Sequence, residues 1–113
     1  MKFVQARIVS DDVERTAGFF ASVLDTDVPL NGYYVEVPAG DATIGISRLH
    51  YTEWESNASQ IILDFEVEDL DEQYQRLDRL GVEWVLRPTV QPWGNRSMTF
   101  RSPDGVVVNV FAR

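Results

Sequence analysis

The sequence predicts an α+β domain, two tandem βαβββ modules whose strands form a curved mixed or antiparallel sheet around a concave pocket. Three observations lead there. Strand-period and helix-period segments alternate, and each helical segment follows a strand. The second half repeats the first at an offset of 57 residues through the strand and helix, as Asp12 and Asp69 illustrate. The length of 113 residues, with 44% apolar and 25% charged side chains, suits one globular domain over 1–113.

The elements follow in order. Val4, Ala6 and Ile8 alternate with Gln5 and Arg7, the pattern of a half-buried strand. Asp11 and Glu14 have capping-box spacing, and Val13, Ala17, Phe20 and Leu24 recur at helical spacing, which predicts an amphipathic helix over 12–25. Pro29 and Asn31-Gly32 mark a turn, and strands are predicted at 33–37 and 42–49 around the tight turn Pro38-Ala39-Gly40-Asp41. Residues 51–59, polar apart from Trp54, connect a first half of about 1–50 to a second of about 60–113.

In the second half Ile61, Leu63, Phe65 and Val67 share one face; Ile62, Asp64 and Glu66 share the other. Asp69 and Glu72 form a second capping box. Leu70, Tyr74, Leu77 and Leu80 form a second helical stripe, closed by Gly81. A short strand is predicted at 82–86 and a loop at 87–94, where Pro88 and Pro92 lie. Strands at 97–101 and 106–112 flank the turn Ser102-Pro103-Asp104-Gly105. Trp84, just after the helix, is expected in the core.

The offset of 57 sets Gln5 on Ile62, Val13 on Leu70 and Phe20 on Leu77. Beyond the helices it becomes 64, because the second half carries seven extra residues around 87–94; Tyr34 then matches Met98, and Gly45 matches Asn109. Two half-shells side by side leave a hollow under their more polar strand faces, and such hollows take small ligands. Gln5, Arg7, Asp64, Glu66, Thr99, Arg101, Asn109 and Phe111 are expected to look into it. Arg7 is expected to pair with Asp64 or Glu66, since a buried charge without a partner is costly.

Composition excludes several functions. The chain has no cysteine, hence no disulfide, thiol nucleophile or thiolate metal site. It has no apolar run near the roughly 20 residues of a membrane span. The opening Met1-Lys2-Phe3-Val4-Gln5 has no signal-peptide apolar region, so a cytoplasmic protein without a membrane partner is expected. A net charge of −8 argues against nucleic acid as a partner, because phosphate neutralisation dominates that affinity. There is no Gly-rich phosphate loop and no nucleophile elbow, and neither Ser47 nor Ser97 has the setting of an activated nucleophile.

Three stretches resemble the vicinal oxygen chelate superfamily, which includes glyoxalase I, extradiol dioxygenases, and bleomycin and fosfomycin resistance proteins. They are Val9 to Leu24, Phe65 to Asp71, and Arg101 to Phe111 with its Ser102-Pro103-Asp104-Gly105 turn. The resemblance implies paired βαβββ modules, and in metal-using members one His, Gln or Glu ligand on each of four strands. Those positions fall on Gln5, Ile62 and Asn109, and on or beside Gly45. Gly45 and Ile62 have no side-chain donor and Asn109 is a weak neutral one, so no metal or cofactor is expected. His50 lies outside these positions and is expected as a surface-loop histidine.

The segment Gln91 to Arg96 resembles the bleomycin-resistance branch, which binds its ligand by stacking and charge without a metal. The resemblance therefore implies a metal-free binding protein that sequesters an amphipathic or aromatic compound, an antibiotic among the possibilities. Trp93 is read either as a stacking plate beside the hollow or as a cap on the core, and Trp54 as a contact for ligand or subunit. The alternative is an enzyme, a lyase or dioxygenase type using a divalent metal or a pocket carboxylate such as Asp64 or Glu66. A third reading is a regulatory or assembly module whose hollow is unused. A homodimer is expected, on the resemblance and on the open sheet edges of so short a chain.

Overall fold

The two periodicities produce strands and helices in the expected alternation. The computed structural model describes residues 1–50 and 60–113; the expected connection between the halves, with Trp54, lies outside the described residues. In chain order the described elements are β1 (Lys2–Val9), α1 (Val13–Val23), β2 (Tyr34–Ala39), β3 (Ala42–Ser47) and β4 (Ile61–Glu66). They continue with α2 (Leu70–Leu80), β5 (Glu83–Val90), β6 (Arg96–Arg101) and β7 (Val107–Ala112). The strands form one mixed sheet in the order β2-β3-β1-β4-β7-β6-β5. β1 runs antiparallel to β4 at the centre and parallel to β3, while β4 runs parallel to β7.

Each helix packs on its own half. Val13, Ala17 and Ala21 of α1 bury against Val35, Val37 and Ile46. Leu70 and Leu77 of α2 bury against Met98 and Val110, with Trp84 and Phe100 partly buried alongside. Trp84 also stacks near Tyr74 and Phe100, with ring centroids 5.1 and 5.7 Å away, as its core assignment required. Cross-strand partners share a face. The register Val35↔Ile46, Ile46↔Ile8, Ile8↔Ile61 and Phe65↔Val110↔Met98 therefore assigns the apolar residues of both halves to the helix-covered face.

The repeat has a geometric expression. Ala6 and Leu63, equivalent under the 57-residue offset, are direct partners across the β1–β4 ladder. A local two-fold axis thus passes between them. On the opposite face Gln5 pairs with Asp64 and Arg7 with Ile62, and the axis exchanges these two pairs. It likewise exchanges the parallel pairs Arg7↔Gly45 and Asp64↔Asn109.

Several boundaries differ from the sequence reading. The N-cap of α1 is Asp12, whose carboxylate accepts from the Arg15 backbone N–H at 3.2 Å, rather than Asp11. Asp69, its repeat equivalent, caps α2 from the Glu72 N–H at 3.0 Å. Leu24 and Leu80, expected on the buried stripes, are exposed because each falls at the helix end, past the sheet. Ala21 takes up the buried position in α1.

β5 runs on through Arg87, Pro88 and Thr89, where a loop was expected. As an edge strand with irregular register between Leu86 and Thr89, it tolerates a proline that a central strand would not. β2, the other edge, carries Pro38 for the same reason. β3 ends at Ser47, two residues early. The counterpart of β5 in the first half is irregular around Pro29, where Asn31 Oδ1 accepts from the Tyr33 and Tyr34 N–H groups instead.

Among the described residues no helix is long and apolar enough to cross a membrane, the two described helices having 11 residues each. The capping assignment predicts that Asp12→Ala and Asp69→Ala each cost about 1 kcal/mol in urea unfolding, and that Asp11→Ala is nearly neutral.

Candidate functional site

The face away from the helices is lined by the alternate residues of the central strands. The register sets Thr43, Gln5, Asp64, Asn109 and Thr99 in one row across β3, β1, β4, β7 and β6. Gly45, Arg7, Ile62, Val107 and Arg101 form the next row. All of the residues expected to face the hollow lie on this face, Glu66 and Phe111 included as partners of one another. Many are buried, among them Ile62, Asp64, Ser97, Thr99 and Asn109.

At its centre Arg7 and Asp64, 57 residues apart and so equivalent under the repeat, form a forked ion pair. Arg7 Nε lies 2.8 Å from Asp64 Oδ2 and Nη2 lies 3.2 Å from Oδ1. The side chains are only 16% and 6% exposed. Of the two carboxylates offered to Arg7 by the sequence, Asp64 is the partner because Glu66 lies further along β4, where Arg113 donates to it. Asn109 Nδ2 donates to Asp64 Oδ1 at 2.9 Å, and Thr99 Oγ1 donates to Asn109 Oδ1 at 3.3 Å. A carboxylate only accepts, so Asp64 fixes which end of the Asn109 amide faces it.

A second chain of bonds starts from the same strand. Gln5 Nε2 donates to the Tyr34 hydroxyl at 2.6 Å, and that hydroxyl donates to Glu36 Oε1 at 2.9 Å. Burial pushes the Tyr34 phenol well above its usual range; the bond from Gln5 opposes this, while Glu36 adds to it. Tyr34 therefore remains a neutral donor. The Gln5 amide reaches Tyr34 only because Gly45 has no side chain: a Cβ at Gly45 would come within 1.9 Å of Nε2 and 3.0 Å of the Tyr34 oxygen. Tyr34, Glu36 and this use of Gly45 were not picked out by the sequence, since the interaction depends on which strands become neighbours.

The remaining expected residues lie around this centre. Arg101 is half-buried and donates to the Gly105 carbonyl at 3.5 Å. Trp93 is exposed on the turn between β5 and β6, so it does not cap the core. That turn is tied to the helix-free face through buried Gln91, whose Nε2 donates to Ser97 Oγ at 2.6 Å. His50, expected on the surface, is half-buried, and its Nδ1 has no hydrogen-bond partner among the described residues.

The glyoxalase/bleomycin resistance protein/dioxygenase superfamily model matches residues 2–110. The chain belongs to this superfamily. A superfamily member from Vibrio splendidus has a similar fold, with a TM-score of 0.73, 15% identity, and coverage of 99% of this chain and 98% of that one. A structure named NAD-dependent benzaldehyde dehydrogenase from Legionella pneumophila superposes with a TM-score of 0.73 at 16% identity, covering 96% of each chain. Methylmalonyl-CoA epimerase from Mycobacterium tuberculosis gives 0.62 at 18%, covering 98% of this chain and 87% of its own. At these identities the likeness is one of fold. No curated protein matches the sequence.

The donors at the superfamily's four metal positions do not fit a divalent ion. Gly45 and Ile62 offer none, both ends of the Asn109 amide are bonded, and the Gln5 amide nitrogen lies over Gly45. Among the described residues no three His, Cys, Asp or Glu side chains converge.

The close approach at Gly45 generates a coupling test. Gly45→Ala should cost about 1 kcal/mol in the native background through loss of the Gln5–Tyr34 bond. In a Gln5→Ala background the same change should be neutral or stabilising, because a strand glycine is entropically unfavourable.

Proposed function

We propose that this superfamily member is a metal-free small-molecule binding protein, with the helix-free face of β1, β3, β4 and β7 as its binding surface. The observation that carries this reading is the Arg7–Asp64 pair. It lies among the four positions where metal-using relatives hold an ion, and those positions carry Gln5, Gly45, Ile62 and Asn109. There a guanidinium and a carboxylate neutralise one another where an ion would sit.

The two carboxylates of β4 on this face are also engaged, Asp64 by Arg7 and Asn109, Glu66 by Arg113. That favours binding over base catalysis, which needs a carboxylate within reach of a substrate proton. The ligand class we propose is amphipathic or aromatic, antibiotics included, with exposed Trp93 as a stacking plate at the rim. Phe19, Val23 and Leu30 remain exposed, and both sheet edges are unpaired among the described strands; these support a homodimer.

Calorimetric titration of chelator-treated protein with Mn²⁺, Fe²⁺, Ni²⁺ and Zn²⁺ should give no stoichiometric binding; a one-to-one micromolar site for any of them would overturn the metal-free reading. Expression of the protein should protect cells against at least one member of an antibiotic panel, with bleomycin in it. The protecting compound should quench tryptophan fluorescence, and Trp93→Ala should weaken its binding roughly tenfold. Unchanged binding would remove Trp93 from the site.

A further inference from the structure

The Gln5–Tyr34–Glu36 chain has a fixed polarity. The Glu36 carboxylate can only accept, so the single proton of the Tyr34 hydroxyl is directed to it. The hydroxyl must then accept from Gln5, so the amide presents its nitrogen to Tyr34. That nitrogen occupies the space that a side chain at Gly45 would take. Gln5 Oε1 is thereby turned away from the chain, and it accepts no hydrogen bond among the described residues. Glu36, the cross-strand partner of Gly45, adds an exposed negative charge on the same face. Of the two guanidinium groups placed on this face, Arg7 is engaged by Asp64, and Arg101 lies on β6, three strands from Gln5 in the sheet order.

We propose that Gln5 Oε1 is an anchoring acceptor of the hollow, and that it selects ligands bringing an N–H donor head, amidinium or ammonium, over ligands with a carboxylate head. The assignment rests on the helix-free face being the binding surface. An amidinium meets the oxygen of Gln5 with the Glu36 charge behind it, and a charge-assisted bond of that kind is the stronger sort. A carboxylate head would meet oxygen with oxygen, and its own charge would oppose that of Glu36.

The test uses two flat aromatic probes of nearly the same shape and opposite head groups, benzamidine and benzoate, titrated to millimolar concentration into ¹⁵N-labelled protein. Benzamidine should shift the Gln5 side-chain amide and the backbone amides of Tyr34 and Gly45, and benzoate should leave them in place. Gln5→Leu should weaken benzamidine binding roughly tenfold or more. Equal shifts from benzoate, or benzamidine binding insensitive to Gln5→Leu, would overturn the donor preference while leaving the face as a ligand site. No shift on this face from either probe would overturn the proposal as well. The comparison of probes on the native protein stands whatever the variant does to folding. A metal-binding result in the calorimetric titration would instead overturn the reading beneath it.

Discussion

A guanidinium and a carboxylate taken out of water are stable only against each other, and in this protein that constraint falls on the symmetry axis of the fold. Arg7 and Asp64 occupy equivalent positions of the two halves, on the two strands that join them. Both are buried in the assembled sheet, where leaving either one unpaired would cost several kcal/mol. The pair therefore links the registers of the two modules. A slip of β1 by one residue would turn Arg7 to the helix-covered face beside Leu63 and leave Asp64 without its partner.

The rest of the helix-free face is arranged around that pair. On one side Asn109 donates to Asp64 and is itself held by the Thr99 hydroxyl. On the other side Gln5 crosses Gly45 to Tyr34, a path that the absence of a Cβ leaves open. Gln5 and Asn109 thus spend their amides on hydrogen bonds to Tyr34, Asp64 and Thr99, while Gly45 and Ile62 bring no polar side chain to the face. A carboxylate orients each amide, Asp64 directly for Asn109 and Glu36 through the Tyr34 hydroxyl for Gln5, and this gives the face directional hydrogen bonding.

Much of this was legible in the sequence because it depends on local period and on the repeat. The alternation of Gln5 and Arg7 with Ala6 and Ile8 assigned the faces, and the offset of 57 placed Arg7 and Asp64 on equivalent strands. The choice of Asp64 over Glu66 was not legible, since it turns on register across the β1–β4 ladder. Pro88 read as a loop because proline disrupts central strands, and nothing local marks β5 as an edge. Asp11 read as the cap because its spacing to Glu14 matches the capping box, whereas the carboxylate that reaches the helix N–H groups belongs to Asp12. Tyr34 was invisible as a site residue, because its role arises only when β2 lies beside β3 and Gln5 reaches over Gly45.

The central claim is that Arg7 and Asp64 hold the two halves together as one energetic unit. A double-mutant cycle with Arg7→Met and Asp64→Leu, read by urea unfolding, tests it most directly. The account predicts that each single change costs about 3–5 kcal/mol, and that the double change costs no more than either single, because removing both charges removes the unpaired one. Single losses that simply add in the double variant would contradict it.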